Sequence, residues 1–300
     1  MGRVLPVRPP QMEVSMSRTR SRFVFHSCAC LIALLAIGAL ASCGGSDSDD
    51  AQKLSFTAES KGKSVTFTVP ESAEAGLAEI TVTNDSDAEA DLQLIRVEGD
   101  RTPEEVVQGL GKAIQGQSFP EWFFAAGGVG TLEAGESATV TQVLQPGDYY
   151  AFNTESNGPP DPKTVAVTKV SGEESDDELA EGDATVEGGE YVFNAETLPS
   201  GSTEILFDNI GAQPHHLIAS KFISEDATAE DVEKFFKTEK GKPPISEKGT
   251  QSTAVLEGGE GQLVTMDLEP GRYALYCFIT DREGGPPHAF KGMIDEVEVE

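Results

Sequence analysis

The sequence predicts a mainly β fold: two tandem β-sandwiches, each with one inserted helix, behind an N-terminal export signal. Three observations carry this. Short runs rich in Val, Thr, Phe and Ile alternate with polar residues and stop at Gly, Pro or Asn/Asp clusters, as sandwich strands do. The same blocks occur twice. Val65-Thr66-Phe67 returns as Tyr191-Val192-Phe193, Ile80-Thr81-Val82-Thr83-Asn84 as Ile205-Leu206-Phe207-Asp208-Asn209, Leu132-Glu133-Ala134-Gly135-Glu136 as Leu256-Glu257-Gly258-Gly259-Glu260, and Pro146-Gly147-Asp148-Tyr149 as Pro270-Gly271-Arg272-Tyr273. The offset stays at about 125 residues, a register that chance matches would not keep. Between the copies lies an acidic stretch, Ser171 to Asp183, with the composition of a linker.

The first element is a leader, residues 1–42. Arg18, Arg20 and Arg22 precede an apolar run from Phe23 to Leu40 that ends in Ala41-Ser42 before Cys43. A basic region, a short apolar core and small residues at the cleavage point mark an export signal. Leu40-Ala41-Ser42-Cys43-Gly44 resembles the bacterial lipobox, which implies lipidation of Cys43 and attachment to the cell membrane from outside the cytoplasm. Residues 43–53 then read as a flexible, acidic tether. The two sandwiches are expected over 54–170 and 184–300, joined by the linker 171–183.

Each copy carries a helix at the same place. Thr102 is set to cap the first, with Pro103 in its first turn and Glu105 closing a capping box, before Val106, Val107, Leu110 and Ile114 at helical spacing. Thr228 and Asp231 take the matching positions before Val232, Phe235 and Phe236, and Gly241 is the expected stop. Phe119 to Phe124 is an aromatic-rich loop of the first copy, expected to be packed.

The formal net charge is −29, and loss of the leader with its five Arg and one Glu takes the rest to about −33. Such a chain argues against nucleic acid, whose phosphates need cations, and implies first a soluble, self-repelling surface, with steering of basic partners as the alternative. Cys28 and Cys30 leave with the leader and Cys43 takes lipid, so Cys277 remains as a lone thiol with no disulfide partner. In an oxidising compartment such a thiol is either buried or bound to a metal. The three histidines after the leader, His215, His216 and His288, all lie in the second copy with it, and Met293 follows.

Here the sequence resembles a family. Gly271-Arg272-Tyr273-Ala274-Leu275-Tyr276-Cys277 looks like the thiolate-bearing strand of plastocyanin-type cupredoxins, Gly-x-Tyr-x-Phe-Tyr-Cys. Gly292-Met293 and the residues to Val299 look like their closing segment and last strand. Asn209 through Pro214-His215-His216-Leu217 looks like their upstream Asn…Pro-His-Asn segment, with His216 where an asparagine is usual. The resemblance implies Greek-key sandwiches and one type 1 (blue) copper site, with His215, Cys277, His288 and Met293 as ligands. His216 stands as the alternative to His215. Two imidazoles and a thiolate in a trigonal set with a weak axial thioether suit copper in both oxidation states. Tyr273, Leu275 and Cys277 fall on one face of their strand, so a core-facing Leu275 carries the thiol inward. Ten residues, Phe278 to Pro287, separate Cys277 from His288, more than the two to four usual in small cupredoxins.

The first copy lacks the set. Asn153 stands at the position of Cys277 and Ala90 at that of His215, and residues 44–170 hold neither His nor Met. The expected function is copper binding with electron transfer to an unidentified redox or protein partner. The alternatives are a metal-free binding or scaffold lipoprotein, and copper storage or delivery. Three histidines are too few for a multicopper oxidase cluster or a nitrite-reductase-like second centre, so the chain is read as a non-enzyme.

Overall fold

A computed structural model describes residues 51–62, 64–155 and 160–300. The expected leader, Cys43 and most of the tether lie outside the described residues. Among the described residues no helix is long and apolar enough to cross a membrane.

In the first half, β1 (Gln52–Lys61), β2 (Ser64–Thr68), β3 (Ser72–Glu74), β4 (Gly76–Asn84) and β5 (Ala90–Val97) precede helix α1 (Pro103–Ile114). β6 (Phe123–Leu132), β7 (Ser137–Leu144), β8 (Gly147–Phe152) and β9 (Ala166–Ser171) follow it. In the second half, β10 (Ala184–Gly189), β11 (Val192–Ala195), β12 (Gly201–Asn209) and β13 (Ile218–Lys221) precede helix α2 (Ala229–Thr238). β14 (Gln251–Ser252), β15 (Gly261–Leu268), β16 (Gly271–Tyr276), a 3₁₀ turn at His288–Lys291 and β17 (Ile294–Val299) complete the chain. The fold is mainly β and built of packed sheets, as the strand patterning predicts. β1 begins at Gln52, two residues inside the stretch read as tether.

The copies repeat in hydrogen bonds as well as in blocks. Ile80 pairs with Val140 where Ile205 pairs with Val264, and Gln93 pairs with Phe152 where Ile218 pairs with Tyr276. The buried Asn84 amide donates to the carbonyls of Ala88, Leu132 and Glu133. Asn209 donates in the same way to Gln213, Leu256 and Glu257. Each asparagine thereby pins the loop that follows its strand to the turn before β7 or β15. In the second half that loop leads to His215.

The two halves share a sheet. β7 and β15 pair antiparallel, so four strands from each half form one eight-stranded sheet in the order β11-β10-β12-β15-β7-β4-β1-β2. A five-stranded sheet, β3-β9-β8-β5-β6, covers it in the first half, and a four-stranded sheet, β14-β13-β16-β17, in the second. One continuous apolar core runs from Phe56 and Ile80 through Val264 to Cys277 and Met293. At the junction the buried Gln142 and Gln262 side chains bond to each other at 2.8 Å, and they reach the carbonyls of Ala126 and Gly128. The acidic stretch between β9 and β10 is tied to the first half by Ser175 to Gln145 and by Asp177 to the Leu77 amide.

Both helices form with their capping boxes, Thr102 with Glu105 and Thr228 with Asp231. Each covers the outer face of a covering sheet. Val106, Val107 and Leu110 of α1 join Ile95, Val97, Tyr150 and Phe152, and Val232 of α2 joins Phe222, Ala274 and Tyr276. Covered on both faces, β5 is buried almost throughout and β16 from Tyr273 onward. Two details differ from expectation. Ile114, placed on the apolar stripe of α1, is 60 % exposed at the helix end. α2 stops at Glu239, which takes the left-handed conformation itself (φ 51°), two residues before Gly241.

Candidate metal centre

Each site residue is placed by a local backbone device. His215 lies where Pro214 ends the Asn209-pinned loop, and it exchanges two backbone hydrogen bonds with Leu256 at 3.0 and 2.9 Å. Cys277 is the first residue after β16. Tyr273, Leu275 and Cys277 enter the main core while Ala274 and Tyr276 face α2, the alternation expected of a strand. The ten-residue loop returns because His288 donates its amide to the Ile279 carbonyl at 2.8 Å and Ala289 donates to that of Cys277 at 2.7 Å. The 3₁₀ turn then lets the Met293 amide bond the His288 carbonyl at 3.0 Å, with Gly292 in the left-handed region (φ 101°) turning the chain inward.

The result is a dry cluster. His215, Cys277, His288 and Met293 are each 0 % exposed. Cys277 Sγ lies 3.8 Å from His215 Nδ1 and 3.6 Å from His288 Nδ1, and the two Nδ1 atoms are 2.9 Å apart. A point equidistant from these three atoms lies about 2 Å from each, close to metal–imidazole bonds of roughly 2.0–2.1 Å and slightly inside a metal–thiolate bond of roughly 2.3 Å. Met293 packs in the same buried cluster as Cys277. The three converging donors suit the trigonal set of a type 1 copper site.

Burial dominates the electrostatics of the cluster. Burial and the facing His288 imidazole lower His215 to about 4, and burial also lowers His288 against the pull of Asp281. Burial pushes the Cys277 thiol up to about 12. Without a metal, then, the rings are neutral and the thiol keeps its proton. His288 Nε2 lies 3.0 Å from Asp281 Oδ1. Burial alone would raise Asp281, but hydrogen bonds from Lys291, Tyr191 and His288 outweigh it and hold the carboxyl below the usual range. An ionised acceptor there assigns the proton to Nε2 and leaves Nδ1 as a lone pair aimed at Cys277 and His215.

The chain is similar to auracyanins and multicopper oxidases of known structure. Reduced auracyanin from the photosynthetic bacterium Roseiflexus castenholzii is 23 % identical over 39 % of this chain and 94 % of its own, with a TM-score of 0.26. The multicopper oxidase mgLAC is 13 % identical over 84 % of this chain and 87 % of its own, at 0.24. A multicopper oxidase from Pediococcus acidilactici is 11 % identical over 83 % and 59 %, at 0.25. No protein-family model and no curated protein matches the chain.

His216 does not join the cluster. Its Nε2 accepts the Phe278 amide at 3.0 Å, so it holds the start of the loop from outside. Desolvation and the two neighbouring imidazoles lower it to about 3. The first half repeats this bond with other chemistry: the Thr154 amide donates to Asp91 at 2.6 Å. Asn153, at the position of Cys277, accepts the Asp91 amide through its side chain at 3.1 Å.

Three residues around His288 are missing from the sequence reading. Asp281 holds the outer nitrogen of the ring. Lys291 bonds the other oxygen of that carboxylate and reaches the Tyr191 hydroxyl at 3.0 Å, and Tyr191 in turn donates to Asp281 at 3.1 Å. Tyr191 sits in the left-handed region (φ 63°), a cost for a bulky residue, and its ring meets His288 edge-on with centroids 5.3 Å apart. Its block was legible only as the counterpart of Val65.

Proposed function

We propose that the chain is a copper-binding electron-transfer protein, with one type 1 copper held by His215 Nδ1, Cys277 Sγ, His288 Nδ1 and Met293. The observation that carries this is the convergence of two buried imidazole nitrogens and one buried thiol on a single point. Copper in such a set exchanges one electron between Cu(I) and Cu(II). The protein's part is to hold the donors still and dry. Cys277 is fixed by a strand packed on both faces, His215 by its bonds to Leu256, and His288 by Asp281. Donors that cannot rearrange limit the reorganisation that accompanies a change of charge. Complete burial also disfavours metal exchange, which sets electron transfer ahead of storage or delivery.

Adding Cu(II) is expected to give an intense blue thiolate-to-copper band that Cys277→Ser loses. A colourless protein that keeps no copper after desalting would overturn the reading.

The leader supports an envelope location, with Cys43 lipidated and the protein tethered outside the cytoplasmic membrane. Cys43→Ala should then release it from the membrane fraction. A charge near −33 after the leader favours a basic redox partner. Histidine count supports a carrier rather than an enzyme, since three are too few for a second, catalytic copper centre.

A further inference from the structure

Resting on the copper reading, we propose that the first half of the chain is a clamp on the metal-ligand loop, with Asp281 and Arg282 as the positioning residues that join His288 to it. The ten residues from Phe278 to Pro287 are long enough to wander, and a mobile loop would cost entropy to order around a metal. They are docked instead. The Phe119 amide donates to the Arg282 carbonyl at 2.6 Å, and the Gly285 amide donates to the Gly116 carbonyl at 3.0 Å, at the end of α1. Gly284 has φ 84°, and a Cβ on it would stand 2.7 Å from the Gly116 carbonyl oxygen, so only glycine permits this approach.

The Arg282 side chain is the centre of the contact. Its Nη2 donates to the carbonyls of Pro120 at 3.2 Å and Phe123 at 3.1 Å, and its Nη1 lies 2.7 Å from Glu257 Oε2. Its guanidinium stands 5.8 and 5.1 Å from the Phe119 and Phe124 ring centres. A planar cation with carbonyls at its edge and aromatic rings nearby suits arginine and not lysine. The Arg282 backbone amide donates to Gln213 Oε1 at 2.8 Å, two residues before His215. The preceding residue, Asp281, holds the outer nitrogen of His288. Two adjacent residues therefore connect both histidine loops to the first half. The aromatic loop Phe119–Phe124 is the receptor that receives them, which gives a role to a copy that has no ligands of its own.

The test compares the full chain with Arg282→Ala, Arg282→Lys and Phe124→Leu, the last of which touches no ligand. Copper-loaded protein is read by the position of the thiolate band and by reduction potential. Copper-free protein is read by hydrogen exchange at the Ala289 and Met293 amides, whose acceptors are Cys277 and His288. Arg282→Ala is expected to speed exchange at these two amides by about tenfold or more and to shift both band and potential. Phe124→Leu should shift them in the same direction by less, and Arg282→Lys should restore them only in part. Wild-type exchange, band and potential in folded Arg282→Ala and Phe124→Leu would overturn the clamp. If Arg282→Ala does not fold, Phe124→Leu decides alone. If the wild type takes up no copper, the copper reading fails and the exchange data still decide whether the first half seats the loop.

Discussion

Phe278 donates its backbone amide to His216 Nε2 at 3.0 Å, which leaves His215 as the upstream imidazole in the ligand cluster. The two adjacent histidines therefore do different work. His215→Ala should abolish the blue band. His216→Ala should keep it and lower stability by about 1 kcal/mol, the cost of leaving a part-buried amide without its acceptor. Absorbance of the copper-loaded variants and urea melts of the copper-free ones separate the two effects. A His216→Ala protein that is colourless beside a blue His215→Ala protein would reverse the assignment.

The shared sheet predicts that the halves unfold as one cooperative unit. Gln142 bonds Gln262, the Gly128 amide and the Ala126 carbonyl, all buried at the junction. At the same seam a Cβ on Gly130 would stand 1.9 Å from the Ser252 carbonyl oxygen. Calorimetry should show a single transition for the wild type. Gln142→Leu, which strands its former partners, should cost about 2–3 kcal/mol, and Gly130→Ala should cost more because backbone must move. Two well-separated transitions in the wild type would mean that the β7–β15 pairing is dispensable.

Asp91 gives the copper-free fold a pH dependence. Burial raises its carboxyl from 3.8 to about 6, against the hydrogen bonds it accepts from Thr154 and Glu155. The folded state thus binds this proton more tightly than the unfolded chain. Its contribution is fully present below about pH 4 and is lost as pH rises through about 6, a change on the order of 3 kcal/mol. Chemical denaturation of the wild type should lose stability across that window relative to Asp91→Asn. Parallel profiles for the two proteins would contradict it.

The repeat and the ligands were legible because their residue types are scarce or rigidly spaced. Cys277, Met293 and the three histidines stand out in a chain so poor in these residues, and the two asparagines at 84 and 209 kept their register. Asp281 and Arg282 were not legible. Acidic residues are everywhere in this chain, and the partners of Arg282 lie at Phe119 to Phe124, on the other half. The β7–β15 junction was hidden for a similar reason. A Val/Thr strand at the edge of one sheet has the same alternation whether it meets solvent or another strand. The choice between His215 and His216 depended on where Phe278 points its amide, which no spacing encodes.

Met293 is the proposed axial ligand, and its role there is energetic rather than structural. Leucine has nearly its volume, so Met293→Leu should fold with a cost under about 1.5 kcal/mol at this fully buried position. The trigonal donors His215, Cys277 and His288 are untouched by it, so the blue band should persist. An axial thioether donates weakly to the more electron-poor Cu(II), and its removal should raise the reduction potential. A redox titration of the two copper-loaded proteins reads this directly. An unchanged potential in a folded, blue Met293→Leu protein would show that the thioether packs beside the site without coordinating, and that the trigonal set alone holds the metal.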